Sequence, residues 1–119
     1  MAGHDAQLLK GVLSLLLLHL VAEREDYGYA IVVRLQEQGF PDLGEGTVYP
    51  ALTRLETQGL LGSRLVRSTS GPARKYYRIT APGQHELGRA LAAWRELAAT
   101  VGRIIPAALH VPEDARSTR

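Results

Sequence analysis

Two stretches decide the fold: GTVYPALTRLETQGLL, residues 46–61, and GPARKYYRIT, residues 71–80. In the first, Val48, Leu52 and Leu55 recur at i, i+4 and i+7, the spacing of one helical face. A helix is expected over about 45–58, with Gly59 as its stop. Pro50 sits awkwardly there, because a proline beyond the first turn removes a backbone bond and crowds the carbonyl four residues earlier. The helix should therefore start late or bend near Gly46. After Gly62 the period becomes extended, with residues 64–67 and 74–79 flanking a Ser68-Thr69-Ser70-Gly71-Pro72 tip, which reads as a hairpin. Alternation puts Arg74, Tyr76 and Arg78 on one face and Lys75, Tyr77 and Ile79 on the other, where Tyr77 and Ile79 are expected to seal the core.

Working outward, residues 5–22 read as a first helix, with ten apolar residues among the fourteen of 8–21. Leu9, Leu13, Leu16 and Leu20 form one stripe; Leu8, Gly11, Val12, Leu15 and His19 form another. One small core covers one stripe, which leaves the other for a second chain. Asp26 precedes a short second helix, 27–38, with Ala30 or Ile31 and Leu35 at helical spacing and Gly39 at its end. Thr80 is placed to cap a fourth helix that tolerates Pro82 in its first turn and runs to about Ile105. Along it Leu87, Leu91, Trp94, Ala98, Val101 and Ile105 are spaced 4, 3, 4, 3, 4, as in a coiled coil. The class expected is mainly α with a small β-hairpin. It consists of a winged helix-turn-helix over 1–80, a C-terminal dimerisation helix over 81–105, and a flexible tail over 106–119.

The 119 residues are 45% hydrophobic and 22% charged, which suits one globular domain with an arm and excludes wholesale disorder. There is no cysteine, so disulfides, thiolate metal sites and thiol nucleophiles are excluded. The apolar stretch of residues 8–21 contains Lys10, Ser14 and His19, reads as too short to span a bilayer, and is not followed by a signal-cleavage pattern. It is read as a buried helix of a cytoplasmic protein without membrane contact.

The formal net charge is only +2, from fourteen Lys and Arg against twelve Asp and Glu. It is unevenly placed. Arg54, Arg64, Arg67, Arg74, Lys75 and Arg78 stand against Glu56 alone, which gives 6 − 1 = +5 for residues 54–78 and 8 − 11 = −3 for the rest. That concentrates positive charge on the third helix's end and the hairpin, the parts of a winged helix that meet a duplex. On the third helix Thr47, Tyr49, Thr53 and Arg54 can donate to phosphates or read base edges, and Gly46 lets the helix start approach the backbone. Two plainer readings stand beside this: arginines on a hairpin also protect a solvated edge, and Tyr49 also serves as half-buried packing. Enzyme motifs such as G-x-S-x-G, H-E-x-x-H and Walker A are absent, and His4, His19, His85 and His110 are too scattered for a metal site. No cofactor is expected. The competing function is a winged helix used for protein contacts or small-molecule binding without sequence-specific DNA binding; charge segregation argues against it.

With the leading YGYAI segment, residues 27–31, the two opening motifs and the following Pro82-Gly83 closely resemble the PadR family of bacterial transcriptional regulators, over roughly residues 8–105. The single helix after the wing resembles the family's smaller branch. The resemblance implies a homodimer on a pseudo-palindromic double-stranded operator, repressing until a small molecule binds. By position it puts Thr47, Tyr49 and Pro50 on the recognition helix and Gly71, Arg74, Lys75 and Tyr76 on the wing. Glu45 departs from many members, which have a neutral cap or turn residue there. Some relatives stack planar aromatic effectors between tryptophans of the two last helices. Trp94 matches that position, with Ala98 beside it on the stripe and Leu8, Gly11, Leu15 and His19 facing it across the dimer. Trp94 packing only the dimer seam is the plainer alternative.

Overall fold

The computed structural model describes residues 4–107. Its elements run α1 (Ala6–Glu23), β1 (Asp26–Tyr27), α2 (Gly28–Glu37), α3 (Glu45–Thr57), β2 (Leu61–Ser68), β3 (Gly71–Ile79) and α4 (Ala81–Ile104). The strands form an antiparallel sheet in the order β1-β3-β2. The expected tail lies mostly outside the described residues.

Helix ends follow local chemistry. The Asp5 carboxylate accepts from the Gln7 and Leu8 amides and starts α1; Thr80 Oγ1 accepts from the Gly83 amide and starts α4. Gly39 and Gly59 take positive φ, 128° and 79°, which side chains resist, and there α2 and α3 stop. The amides of Phe40 and Leu60 then reach back to the carbonyls of Leu35 and Leu55 at 3.1 and 3.0 Å.

The core collects Leu13, Leu17, Leu18, Leu20 and Val21 of α1, Ile31, Val32 and Leu35 of α2, and Val48, Ala51, Leu52 and Leu55 of α3, closed by Leu61 and Tyr77 of the sheet. Leu17 and Leu18 are the most deeply buried α1 side chains, although neither stood in the two expected stripes. Tyr77 is buried, and Ile79 is half-buried against the core as expected. By length and hydropathy α1 would pass for a membrane span, since residues beyond both ends of its apolar run bring the helix to 18 residues. Here those leucines are what the core is built on.

Three expectations are corrected. Helix α3 does not start late: it begins at Glu45 and continues through Pro50. Gly46 and Pro50 are both exposed, so water reaches the carbonyl that the proline leaves without a donor. The hairpin strands are longer than expected, narrowing the tip to Thr69-Ser70. Their register slips between Val66 and Ser68, opposite Pro72, a residue with no amide to give the ladder. Helix α2 starts one residue later than expected: Tyr27 is its N-cap, without a side-chain bond, and forms with Asp26 an unexpected two-residue strand. The Asp26 carboxylate is buried against Arg34 Nη1 at 3.4 Å, while Arg34 Nη2 donates to the Leu20 carbonyl and to Glu23, both at 3.0 Å. One buried guanidinium thus ties the end of α1, β1 and α2 together.

Of the residues of α4 only Gly83 is buried in the single chain. A Cβ there would be driven into the Leu60 carbonyl and lie 2.7 Å from Ile79 Cγ1, whereas one on Gly88 would meet nothing within 4 Å. Gly83→Ala should therefore cost about 1–3 kcal/mol by overpacking, while Gly88→Ala should gain up to about 1 kcal/mol from helix propensity. Thermal unfolding should show opposite shifts, with a drop of roughly 5 °C or more for the first; shifts of the same sign would contradict this packing.

Candidate nucleic-acid interface

Residues 38–44 turn the chain from α2 into α3, held where Gln36 Nε2 donates to the Leu43 carbonyl at 2.7 Å. Because Val48, Ala51, Leu52 and Leu55 face the core, Gly46, Thr47, Tyr49, Pro50, Thr53 and Arg54 are left exposed. Gly44 caps α3 without a side chain, and no atom of another residue crowds Gly46, so the helix start is open to an anion. Tyr49 is 38% exposed and lies against Gly28, where a Cβ would come within 2.9 Å of its ring. Partial burial, followed by the nearby Glu45 carboxylate, raises its phenol pKa and keeps the hydroxyl a donor. Half-packing and outward exposure thus coexist at Tyr49.

The hairpin stands beside α3. Gly71, Arg74 and Lys75 are exposed and Tyr76 is half-buried. On the face toward α3, Glu56 accepts from Ser63 Oγ at 2.5 Å and pairs with Lys75 Nζ at 2.9 Å. On the opposite face Tyr27 and Tyr76 pack at 5.4 Å between centroids, with Arg74 4.4 Å over the Tyr27 ring and Arg64 6.0 Å over Tyr76. Arg64 also bonds Glu25 at 2.6 Å. The basic segment is therefore not uniform. Lys75 and Arg64 each hold a carboxylate; Arg54, Arg67, Arg74 and Arg78 make no ion pair among the described residues. Sequence reading did not single out Glu25 or Tyr27, and counted Glu56 only as the segment's one acid. The YGYAI segment contained Tyr27, but its contacts depend on an edge strand too short to show a period.

A second feature lies between α1 and α4, an open groove of about 830 Å³ lined by Leu8, Gly11, Leu15, Ala90, Trp94 and Leu97. It brings Trp94 together with Leu8, Gly11 and Leu15 of the same chain, where the sequence reading set them across a dimer axis. His19 does not join them: it is exposed one turn from Glu23, with Nε2 3.4 Å from the carboxylate. Ala98 lies beyond the lining, on the exposed part of α4. Leu87 and Leu91 are half-buried, while Trp94, Val101 and Ile105 are about half exposed.

Exposed α3 beside a cationic hairpin, both fixed to one helical core, defines a winged helix-turn-helix protein. The model of the transcriptional regulator PadR-like family matches residues 17–89, and the chain belongs to that family. It is 39% identical to the transcriptional regulator Rv3488 of Mycobacterium tuberculosis over 71% of this chain and 78% of that one. A PadR family transcriptional regulator from Eggerthella lenta superposes with a TM-score of 0.78 at 39% identity, over 85% of this chain and 88% of that one. A PadR-like transcriptional regulator from Bacillus cereus gives 0.76 at 36% identity, over 85% and 98%. The protein is thus a DNA-binding transcriptional regulator rather than an enzyme.

The Glu56 bridge has a pH signature. Its hydrogen bond from Ser63, then that from Lys75, lower the Glu56 pKa; the bond to Glu56 raises that of Lys75. A lowered carboxylate contributes stability above its unfolded pKa and loses it as pH falls through the folded one. For a raised lysine the contribution is present below the unfolded pKa and lost as pH rises through the folded one. The bridge is therefore intact at neutral pH. In urea unfolding between pH 7 and 3, Glu56→Gln should lose stability less steeply than wild type; parallel curves would show that Glu56 contributes nothing to acid sensitivity.

Proposed function

We propose that this PadR-like regulator is a cytoplasmic homodimeric repressor that grips a pseudo-palindromic operator and releases it when a small planar aromatic effector binds. In this reading residues 1–80 are the DNA-binding unit and residues 81–105 the dimerisation arm. Gly46, Thr47, Tyr49, Pro50, Thr53 and Arg54 meet the major groove, and Gly71, Arg74, Lys75 and Tyr76 meet the flanking backbone. The observation that carries it is the exposed α3 face, set beside Arg67, Arg74 and Arg78 of the wing, which make no ion pair among the described residues. Gel mobility shifts on the gene's own upstream DNA provide the test. Binding should be selective over random DNA and weaken steeply with salt. Arg74→Glu with Lys75→Glu should weaken every duplex, while Thr53→Ala should change affinity most for particular sequences. A planar aromatic compound that quenches Trp94 fluorescence should also release the shifted band. Equal competition by random DNA would end the operator reading.

The dimer is supported by the α4 stripe. Leu87, Leu91, Trp94, Val101 and Ile105 recur at coiled-coil spacing, yet Ile104 is 74% exposed and Leu8, across the groove on α1, 76%. A second copy of α4 laid along α1 and α4 would cover them. Val101→Asp leaves the single chain's core untouched but buries a carboxylate in that seam, so the variant should sediment as a monomer. A variant that stays dimeric would place the interface elsewhere.

A further inference from the structure

The three-stranded sheet carries an arrangement that neither the fold nor the family name requires. Strand β1 is two residues long, and its register sets Tyr27 directly opposite Tyr76 on β3. Arg74 lies two residues along β3 on the same face, within diagonal reach of Tyr27. The Tyr27 ring contacts both neighbours, with Tyr76 5.4 Å away between centroids and the Arg74 guanidinium 4.4 Å from its own. Tyr27 is itself held firmly. The neighbouring Asp26 carboxylate accepts from the Tyr27 amide at 3.0 Å and faces the buried Arg34, which is bonded to the Leu20 carbonyl of α1. A run of contacts thus leads from the core to one exposed cation.

Two of the other wing cations, Lys75 and Arg64, are held differently. Lys75 is neutralised by Glu56, and Arg64, 6.0 Å over Tyr76, is bonded to Glu25. A phosphate would have to displace a carboxylate to reach either. Arg74 makes no ion pair among the described residues, and its partner is a ring face, which orients a guanidinium while leaving its N–H edges free to donate. A long side chain ordered in advance loses less conformational entropy when it binds.

We propose that Tyr27 is a positioning residue for DNA recognition, holding the Arg74 guanidinium on its ring so that its donors are presented to a phosphate before the duplex arrives. This rests on the DNA-binding reading above. The hydroxyl has no part in it; the aromatic face does.

A double-mutant cycle on the full-length protein tests it, by fluorescence anisotropy with its own upstream DNA at several salt concentrations. Arg74→Ala should weaken binding about tenfold, as loss of a phosphate contact does. Tyr27→Leu should weaken it about three- to fivefold, the worth of an exposed cation–π contact. Combined with Arg74→Ala, it should add less than about twofold, because the cation it orients is gone. Tyr27→Phe should restore wild-type affinity to within about twofold, since it keeps the ring. Tyr27→Met serves as the second apolar replacement if the leucine variant does not fold. Three results would overturn the proposal while leaving DNA binding standing: full additivity of the two losses, no loss from Tyr27→Leu where Arg74→Ala weakens binding, or Tyr27→Phe as weak as Tyr27→Leu. If wild type binds no duplex, or Arg74→Ala binds as wild type does, the wing reading fails and this proposal falls with it.

Discussion

The 18 residues of α1 carry more apolar side chain than one small core can cover, and most of the molecule is arranged around that constraint. Leu13, Leu17, Leu20 and Val21 supply the floor on which α2 and α3 close, with Leu18 buried beside them. Around the same helix, Leu8 and Gly11 stay open, and on that side α4 leaves Trp94 and Leu97 exposed. A helix with apolar surface on two sides is stable in water only if something covers the second side. Within one chain α4 does so incompletely, and the groove is what remains.

The same economy governs charge. A segment of +5 beside a helix it must pack against would repel itself, and the structure relieves this by neutralising the cations nearest the protein. Glu56, the segment's one acid, sits between α3 and β2 and takes Lys75; Glu25, from the loop before β1, takes Arg64. What is left unpaired lies on the outside of α3 and the wing. A count of charges along the sequence finds the region correctly but overstates its free charge, because pairing is decided by strand register, which places Glu25 next to a residue 39 positions away.

How far the sequence was legible follows from the range over which each signal acts. Val48, Leu52 and Leu55 read as an inward stripe because helical periodicity is local, and they are buried as that period requires. The cap at Thr80 and the stops at Gly39 and Gly59 are likewise decided within a turn. Pro50 misled because the usual penalty assumes a carbonyl that must be satisfied by the helix, and here it faces water. Strand β1 was missed because two residues have no period; it exists only because β3 offers it an edge. Arg34 looked like any helix arginine, and nothing local marks it as the buried partner of Asp26 and the Leu20 carbonyl, which lie 8 and 14 residues away in sequence. The basic segment could be read from a count of charges; of the expected pocket residues Leu8, Gly11, Leu15 and Trp94 line the groove, while Ala90 and Leu97 were not expected there and His19 lies past it beside Glu23.

These pieces bear on how an effector could act in the proposed regulator. Helix α1 touches α4 on one side and α3 on another, so the groove beside Trp94 and the floor of the recognition helix are two surfaces of one rigid rod. A close-packed interior cannot absorb a displaced helix by compressing, so it moves as a unit or not at all. In the proposed regulator, a ligand seated against Leu8, Gly11 and Leu15 would therefore reach α3 only through the core-facing side of α1. In the proposed dimer, with its seam along α1 and α4, such a ligand would bear on both α3 helices at once. Its effect on DNA binding is then set by the spacing of the two α3 helices, for which an operator of fixed helical repeat tolerates little change.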